Sequence, residues 1–150
     1  MPSTPQTPAL VSIGYEGKDL NELLEQLLAN HVGVLVDVRL NPISRKPGLS
    51  KRRLSEALRA VGISYCHYRE LGNPKENREA FRAGSQDARD RFSAILRAQA
   101  GTEALSHVAE SLDGEVVALL CFEREHSECH RGLVAEAIQR ELPEVQLLQV

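Results

Sequence analysis

Residues 115–138 read EVVALLCFEREHSECHRGLVAEAI, and this stretch predicts a buried strand, a polar loop and an amphipathic helix. The run Val116–Leu120 is apolar and rich in β-branched residues, which is typical of a strand. After the loop, four apolar residues recur at helical spacing and predict one buried helix face. They are Leu133, Val134, Ala137 and Ile138. A strand followed by a helix is the repeating unit of α/β sheets, and the rest of the chain extends this pattern.

Further strands are expected elsewhere in the chain, separated mainly by helices. The expected strands are Leu10–Tyr15, Gly33–Leu40, Ile63–Tyr68 and Val145–Val150. The expected helices follow Asp19, follow Ser50, run from Ser85 to about Gln99, and start at Thr102. The sequence therefore predicts an α/β fold: a single-domain three-layer sandwich, with a mostly parallel sheet of about five strands and helices on both faces.

Two segments lie outside this regular pattern. Residues 1–9 carry three prolines among Ser, Thr and Gln, so we expect a flexible tail before a single domain at residues 10–150. Residues 75–84 are charged and lack apolar periodicity, which predicts a flexible lid or an insertion.

The loop between the opening strand and its helix carries a concentration of reactive side chains. Residues 121–131 contain two thiols, two imidazoles, three carboxylates and two guanidinium groups. Ligands of open α/β sheets bind at the carboxyl ends of the strands, where this loop lies. A helix start beside His130 and Arg131 also provides the positive field that lowers the pKa of a thiol such as Cys129. The candidate catalytic residues are Cys121, Glu123, Cys129, His130 and Arg131.

A second group of polar residues surrounds the expected second strand. Asp37 and Arg39 interrupt its apolar run and, being two residues apart, point to the same face. Five basic residues follow within 44–53, three of them in the first turn of a helix, where cations are unfavourable unless an anion binds there. The candidate anion-binding residues are Tyr15, Asp37, Arg39, Ser44, Arg45, Lys46, Arg52 and Arg53. The alternatives are a local Asp37–Arg39 ion pair and a solvated basic face.

Composition excludes several classes of protein. The formal charge of -3 is not that of a nucleic-acid binder whose whole surface is basic, and the chain has no Trp for stacking bases. No apolar run approaches the roughly 20 residues of a membrane span, and no signal-peptide pattern is present. We expect a cytoplasmic protein with reduced cysteines, no membrane partner, and a phosphate-bearing small molecule or a nucleic acid as its partner. The sequence indicates neither a cofactor nor an oligomeric state.

Four motifs follow one another along the chain. They are SIGY at 12–15, LVDVR at 35–39 with Pro42 and Ser44 beyond it, LGNP at 71–74, and CFE with CHR between 121 and 131. In this order and spacing they resemble the motifs of the family called domain of unknown function 488, over about Leu10 to Ile138. The resemblance implies a compact prokaryotic α/β protein and supplies no reaction.

Three classes of function are compatible with these residues. In the first, the protein is an enzyme, with Cys121 or Cys129 as nucleophile or redox thiol and with Arg39 and the basic loop binding a phosphate-bearing, anionic substrate. In the second, it is a zinc-binding domain whose ligands are Cys121, His126, Cys129 and His130. In the third, a binding module recognises phosphates of a nucleotide or nucleic acid without catalysis.

Of these three classes, we favour the enzyme. In that case one crevice should contain Arg39, Arg131 and the loop 121–130. An anion should then bind between the basic loop and the helix start at Cys129–Arg131. The alternative is that the cluster only closes the fold, with buried cysteines and with His130 and Arg131 paired to nearby glutamates.

Overall fold

The computed structural model describes residues 8–150. Its elements in chain order are β1 (Ala9–Gly14), α1 (Leu20–Ala29), β2 (Val32–Asp37), α2 (Lys51–Ala60), β3 (Ser64–His67), α3 (Lys75–Arg82), α4 (Gln86–Arg97), α5 (Gln99–Ser111), β4 (Val116–Cys121), α6 (Arg131–Glu141) and β5 (Gln146–Gln149). Short 3-10 turns lie at Arg69–Leu71 and His126–Glu128. Of the expected tail, residues 1–7 lie outside the described residues, and Ala9 is the first residue of β1.

The strands form one sheet in the order β3-β2-β4-β1-β5, and every neighbouring pair is parallel. β4 lies between β1 and β2, so the chain leaves β1 toward one edge of the sheet and leaves β4 toward the other. The carboxyl ends of the three central strands are side by side, with Gly14 opposite Cys121 and Asp37 opposite Leu120. Such a reversal of direction is where open α/β sheets bind ligands.

Helices cover both faces of the sheet, which confirms the predicted α/β fold. On one face, Leu23 and Leu27 of α1 and Leu54 and Leu58 of α2 belong to a core that includes Leu35 of β2. On the other, α3, α4, α5 and α6 pack in a second core against the alternate side chains of the same strands. Side chains one residue apart on a strand therefore enter different cores.

The expectation of a flexible lid at residues 75–84 is wrong, because Lys75–Arg82 forms helix α3. Its buried residues are Asn77 and Phe81. The Asn77 side chain donates from Nδ2 to Asn73 Oδ1 and to the Ala88 carbonyl oxygen, both at 2.9 Å. Because α3 buries the Asn77 amide where a second large apolar side chain would be expected, its sequence does not show the apolar repeat of a helix.

Among residues 8–150, no helix combines the length and the apolar character needed to cross a membrane.

Candidate functional site

Two cysteines and a histidine meet beyond the end of β4. The 3-10 turn at His126–Glu128 folds the chain back, so that Cys129 and His130 lie beside Cys121, the last residue of the strand. His130 Nδ1 is 3.8 Å from Cys121 Sγ and 3.7 Å from Cys129 Sγ. All three residues are buried, with 6%, 2% and 5% of Cys121, Cys129 and His130 exposed.

The hydrogen bonds of His130 fix its orientation and its tautomer. Nε2 is 2.7 Å from the Val38 carbonyl oxygen, which can only accept, so Nε2 carries a hydrogen. Nδ1 therefore faces both sulfurs, as an acceptor in the neutral ring or as a donor in the imidazolium ion. Phe92 packs edge-to-face against the ring at 5.1 Å between centroids. The imidazole is thus held in place by Val38, the residue after β2, on one side and by helix α4 on the other.

The two thiols have opposite pKa shifts. Burial opposes the charge on Cys129, but the hydrogen bond from Cys121 and the positive charges of His130 and Arg131 hold the pKa of Cys129 well below its usual value. The hydrogen bond to Cys129, together with burial, raises the pKa of Cys121 well above its usual value. These opposite shifts favour ionisation of Cys129 over ionisation of Cys121.

Glu123 lies on the outer side of this cluster. Cys121 Sγ is 3.4 Å from Glu123 Oε2, and the other carboxylate oxygen pairs with Arg82 at 3.3 Å. Burial, followed by the nearby charge of Cys129, raises the pKa of Glu123. Glu123 is half-buried, so one carboxylate connects the buried thiols to the surface of the protein.

A cavity of about 470 Å³ opens at the carboxyl ends of β2 and β4. Its lining residues are Tyr15, Arg39, Leu40, Ile43, Ser44, Arg45, Lys46, Arg78, Arg82, Cys121, Phe122 and Glu123. Five of these side chains are cationic, whereas Glu123 supplies the one carboxylate. The arrangement can bind an anion next to a thiol and a carboxylate.

A family model described as "Domain of unknown function DUF488" matches residues 19–138. The chain belongs to this family. No curated protein and no solved structure matches the chain. The resemblance expected from the four motifs is therefore confirmed. The description of the DUF488 family names no reaction.

The cavity of the DUF488 protein brings together seven of the thirteen residues predicted from the sequence. They are Tyr15, Arg39, Ser44, Arg45, Lys46, Cys121 and Glu123.

Two of the cationic side chains also stabilise the walls of the cavity through hydrogen bonds to backbone carbonyl oxygens. Arg39 donates from NH1 to the Leu49 carbonyl oxygen at 2.6 Å, and Lys46 donates from Nζ to the carbonyl oxygens of Tyr15 and Lys18 at 3.0 and 2.9 Å.

Asp37 lies beneath the cavity and does not line it. The carboxylate is fully buried and forms a bidentate pair with Arg39, at 2.9 Å from Nε to Oδ1 and 2.7 Å from NH2 to Oδ2. It also accepts a hydrogen bond from the Tyr65 hydroxyl at 2.6 Å. The ion pair weighed as an alternative is therefore present, and it positions the guanidinium group of Arg39 in the cavity wall.

Arg52 and Arg53 are exposed in the first turn of α2, outside the cavity. Arg52, whose side chain is 90% exposed, pairs with Glu56 of the same helix at 3.4 Å. The Ser50 side chain makes no cap bond to α2 and instead donates to the Ser44 carbonyl oxygen at 3.2 Å. The expected basic site is thus divided: Ser44, Arg45 and Lys46 reach the cavity, whereas the helix start does not.

Arg131 is also away from the cavity lining, so the expected crevice shared with Arg39 contains the end of β4 but not this guanidinium group. Its side chain is 1% exposed and donates to Ser12 Oγ at 2.6 Å, to the Glu123 carbonyl oxygen at 2.6 Å and to the Arg124 carbonyl oxygen at 3.1 Å. Arg131 therefore holds the loop 121–131 against β1. It acts on the reactive residues through the loop backbone and through its charge.

His126 is engaged elsewhere and does not join the cluster. Its Nδ1 is 2.6 Å from Ser12 Oγ. Because Arg131 donates to the same hydroxyl oxygen, the hydroxyl hydrogen is directed to His126. The group of metal-ligating side chains within the described chain is therefore Cys121, Cys129 and His130, without the fourth residue of the predicted zinc set.

Sequence reasoning missed two cationic residues of the cavity, Arg78 and Arg82, because they lie on α3. Their spacing of four residues places them on one face of a helix. Phe81 and the helix-starting Pro74 were the other signals of that helix in the sequence. It also missed the apolar wall of the cavity, which is formed by Leu40, Ile43 and Phe122.

Proposed function

We propose that this DUF488 protein is an enzyme that acts on a small, phosphate-bearing substrate in the cavity at the carboxyl ends of β2 and β4. The observation that carries the proposal is the composition of that one cavity. Arg39, Arg45 and Lys46 enter it from the loop after β2, Arg78 and Arg82 enter it from α3, and Cys121 and Glu123 enter it from the end of β4 and the loop that follows. Guanidinium and ammonium groups are the side chains that bind phosphate oxygens most strongly.

The size and the apolar wall of the cavity favour a small organic molecule. A volume of about 470 Å³ lies within the range of sites for small ligands. Ile43 is 77% exposed and Phe122 is 41% exposed at this cavity, so both are available to contact an apolar or planar part of a ligand. Phe122 is held edge-to-face against Tyr15 at 5.4 Å between centroids.

The adjacent Cys–His–Glu cluster supports an enzyme over a binding module. A module that only binds phosphates has no need of two thiols and an imidazole beside the ligand. The three cysteines are unpaired, as a reducing compartment favours, and we propose the prokaryotic cytoplasm as the setting. The substrate would bind by its phosphate to the cationic side and present its reacting group to the Cys121 and Glu123 side.

The proposal is tested by calorimetric titration with inorganic phosphate, nucleotides and sugar phosphates. Arg45→Ala and Arg78→Ala should weaken binding by roughly tenfold or more each, because each removes a charge-assisted contact. Arg52→Ala is the matched control, since it removes the same charge outside the cavity and should leave the affinity unchanged. A compound that binds is then followed for turnover, and Cys121→Ser should abolish the reaction.

Two results would overturn the proposal. One is the lack of charge-dependent binding by any phosphate compound. The other is an equal loss in Arg45→Ala and Arg52→Ala with a preference for DNA or RNA and a steep dependence on salt, which would indicate a nucleic-acid backbone along α2.

A further inference from the structure

We propose that Cys121, Cys129 and His130 form a mononuclear zinc site. The two Sγ atoms and His130 Nδ1 lie within 4.8 Å of one another and belong to buried residues. Thiolate and imidazole together are the ligands that zinc prefers in proteins. The catalytic use of this metal rests on the proposed function, whereas the affinity of the three side chains for zinc does not.

The two sulfur–nitrogen distances fit a tetrahedral ion. Bonds of about 2.3 Å to sulfur and about 2.0 Å to nitrogen require sulfur–nitrogen edges of about 3.5 Å at the tetrahedral angle. The sulfur–nitrogen distances here are 3.8 Å for Cys121 and 3.7 Å for Cys129. An ion bound to His130 Nδ1 and to both sulfurs would therefore change these two sulfur–nitrogen distances by only a few tenths of an ångström.

The surroundings of the three ligands favour a metal as well. The Nε2–H of His130 donates to the Val38 carbonyl oxygen at 2.7 Å, which leaves Nδ1 for the metal and is the usual outer contact of a ligating histidine. The backbone N–H of Arg131 is 3.5 Å from Cys129 Sγ and can donate to a thiolate. Zinc binds two thiolates and a neutral imidazole, so the protons that these groups hold are released to solvent on binding.

Three protein ligands leave a fourth position, as in catalytic zinc sites, whereas structural sites have four protein ligands. Cys121 and Glu123 line the cavity, so the site is reached from the place where the substrate is proposed to bind. The Glu123 carboxylate is 3.4 Å from Cys121 Sγ and would serve as the group that exchanges a proton with a molecule bound at the fourth position. A zinc ion would supply a Lewis acid that lowers the pKa of water or polarises a substrate oxygen.

The residues near the cluster provide matched controls. Cys66 lies on β3 and is half-buried, and it is not part of the group of three. His126 is close in sequence, but its Nδ1 accepts from Ser12. Cys66→Ser and His126→Asn therefore remove the same types of side chain as Cys129→Ser and His130→Asn without removing a proposed ligand.

The test uses the full chain, purified under reducing conditions. Zinc content is measured by mass spectrometry, and the chain is stripped with a chelator and titrated with Co²⁺, whose tetrahedral thiolate complexes have intense charge-transfer absorption. We expect one metal ion per chain and a cobalt spectrum with thiolate bands. Cys129→Ser and His130→Asn should lose affinity by at least about 100-fold, more than outer contacts usually cost, whereas Cys66→Ser and His126→Asn should bind as the parent chain does.

The cobalt titration of the metal-free parent chain does not depend on any variant, so the zinc site can be tested even if the variants fail to fold. Substoichiometric zinc together with a cobalt titration that shows no thiolate bands would overturn the zinc site. So would equal loss of metal in His126→Asn and His130→Asn when circular dichroism shows both to be folded. Phosphate binding in the Arg45→Ala variant is measured separately, so failure of the cavity proposal and failure of the zinc site are distinguishable.

Discussion

Arg131 Nε donates to Ser12 Oγ over 2.6 Å, which joins the first residue of α6 to the interior of β1. Both residues are buried, with about 1% of each exposed. The other two donors of the guanidinium group bind carbonyl oxygens of the loop 121–131. One side chain therefore fixes the position of the loop that presents Cys121 and Cys129. Of the three hydrogen-bond acceptors of Arg131, Ser12 Oγ is the one that belongs to a side chain.

The first prediction concerns this hydroxyl. Ser12→Ala leaves the buried Arg131 Nε without its acceptor and the half-buried His126 Nδ1 without its donor, so we expect a loss of about 1–3 kcal/mol in the free energy of unfolding. Urea denaturation measures it. The control is Ser55→Ala, because the Ser55 hydroxyl donates to the Arg52 carbonyl oxygen at the surface and its loss should cost less than about 1 kcal/mol. Equal losses in the two variants would contradict the structural role of the Ser12–Arg131 bond.

The second prediction concerns the buried ion pair below the cavity. Arg39→Met leaves the fully buried Asp37 carboxylate without its bidentate partner, and we expect a loss of about 3–5 kcal/mol in the free energy of unfolding. Adding Asp37→Asn to Arg39→Met should recover part of the loss, because no buried charge then lacks a partner. Arg52→Met is the control, with an expected change below about 1 kcal/mol for an exposed pair.

The strands and most helices of this protein were predictable because their apolar residues repeat with the period of the element. The run at Val116–Leu120 and the stripe that begins at Leu133 are examples. Helix α3 was not predictable in this way, since it is short and buries Asn77 alongside Phe81. Its contribution to the cavity, Arg78 and Arg82, was missed for the same reason.

The site was partly predictable because parallel strands bring their carboxyl ends to one edge of the sheet. This placed Arg39 and Cys121 near each other without knowledge of the strand order. The sequence did not show that Arg131 turns away from the crevice to bind Ser12, since that depends on which buried oxygen atoms need a donor. Nor did it show that His126 would be bound by the same serine and so be separated from the cysteines.

The third prediction concerns the close approach of β1 to the loop after β4. A Cβ atom added at Gly14 would overlap the backbone carbonyl of Glu123, which cannot move without displacing the loop and its bond to Arg131. Gly14→Ala should therefore lower the unfolding midpoint in urea and weaken cobalt binding. Gly33→Ala is the matched control, because its added Cβ would overlap only the exposed end of the Glu115 side chain, which can rotate away. A midpoint shift as large in Gly33→Ala as in Gly14→Ala would contradict this account.

The fourth prediction concerns the Tyr65 hydroxyl, which donates to Asp37 Oδ2 at 2.6 Å. Burial, followed by the negative charge of Asp37, raises the pKa of Tyr65 above its usual value of about 10. At neutral pH, Tyr65→Phe removes a hydrogen bond to a charged group, and we expect a loss of about 1.5–3 kcal/mol in the free energy of unfolding, measured by urea denaturation.

This difference between parent and Tyr65→Phe should shrink at high pH. Above about pH 10 the unfolded chain loses the phenolic proton that the folded chain retains, so the stability that Tyr65 contributes falls as the pH rises. For one proton, the loss of stability is at most about 1.4 kcal/mol per pH unit, and solvent screening makes the loss smaller because the Tyr65 ring is half-buried. Denaturation curves of both chains at about pH 8 and about pH 10.5 provide the measurement. A parent chain that loses no more stability than Tyr65→Phe over this interval would show that the proton on Tyr65 is not held by Asp37.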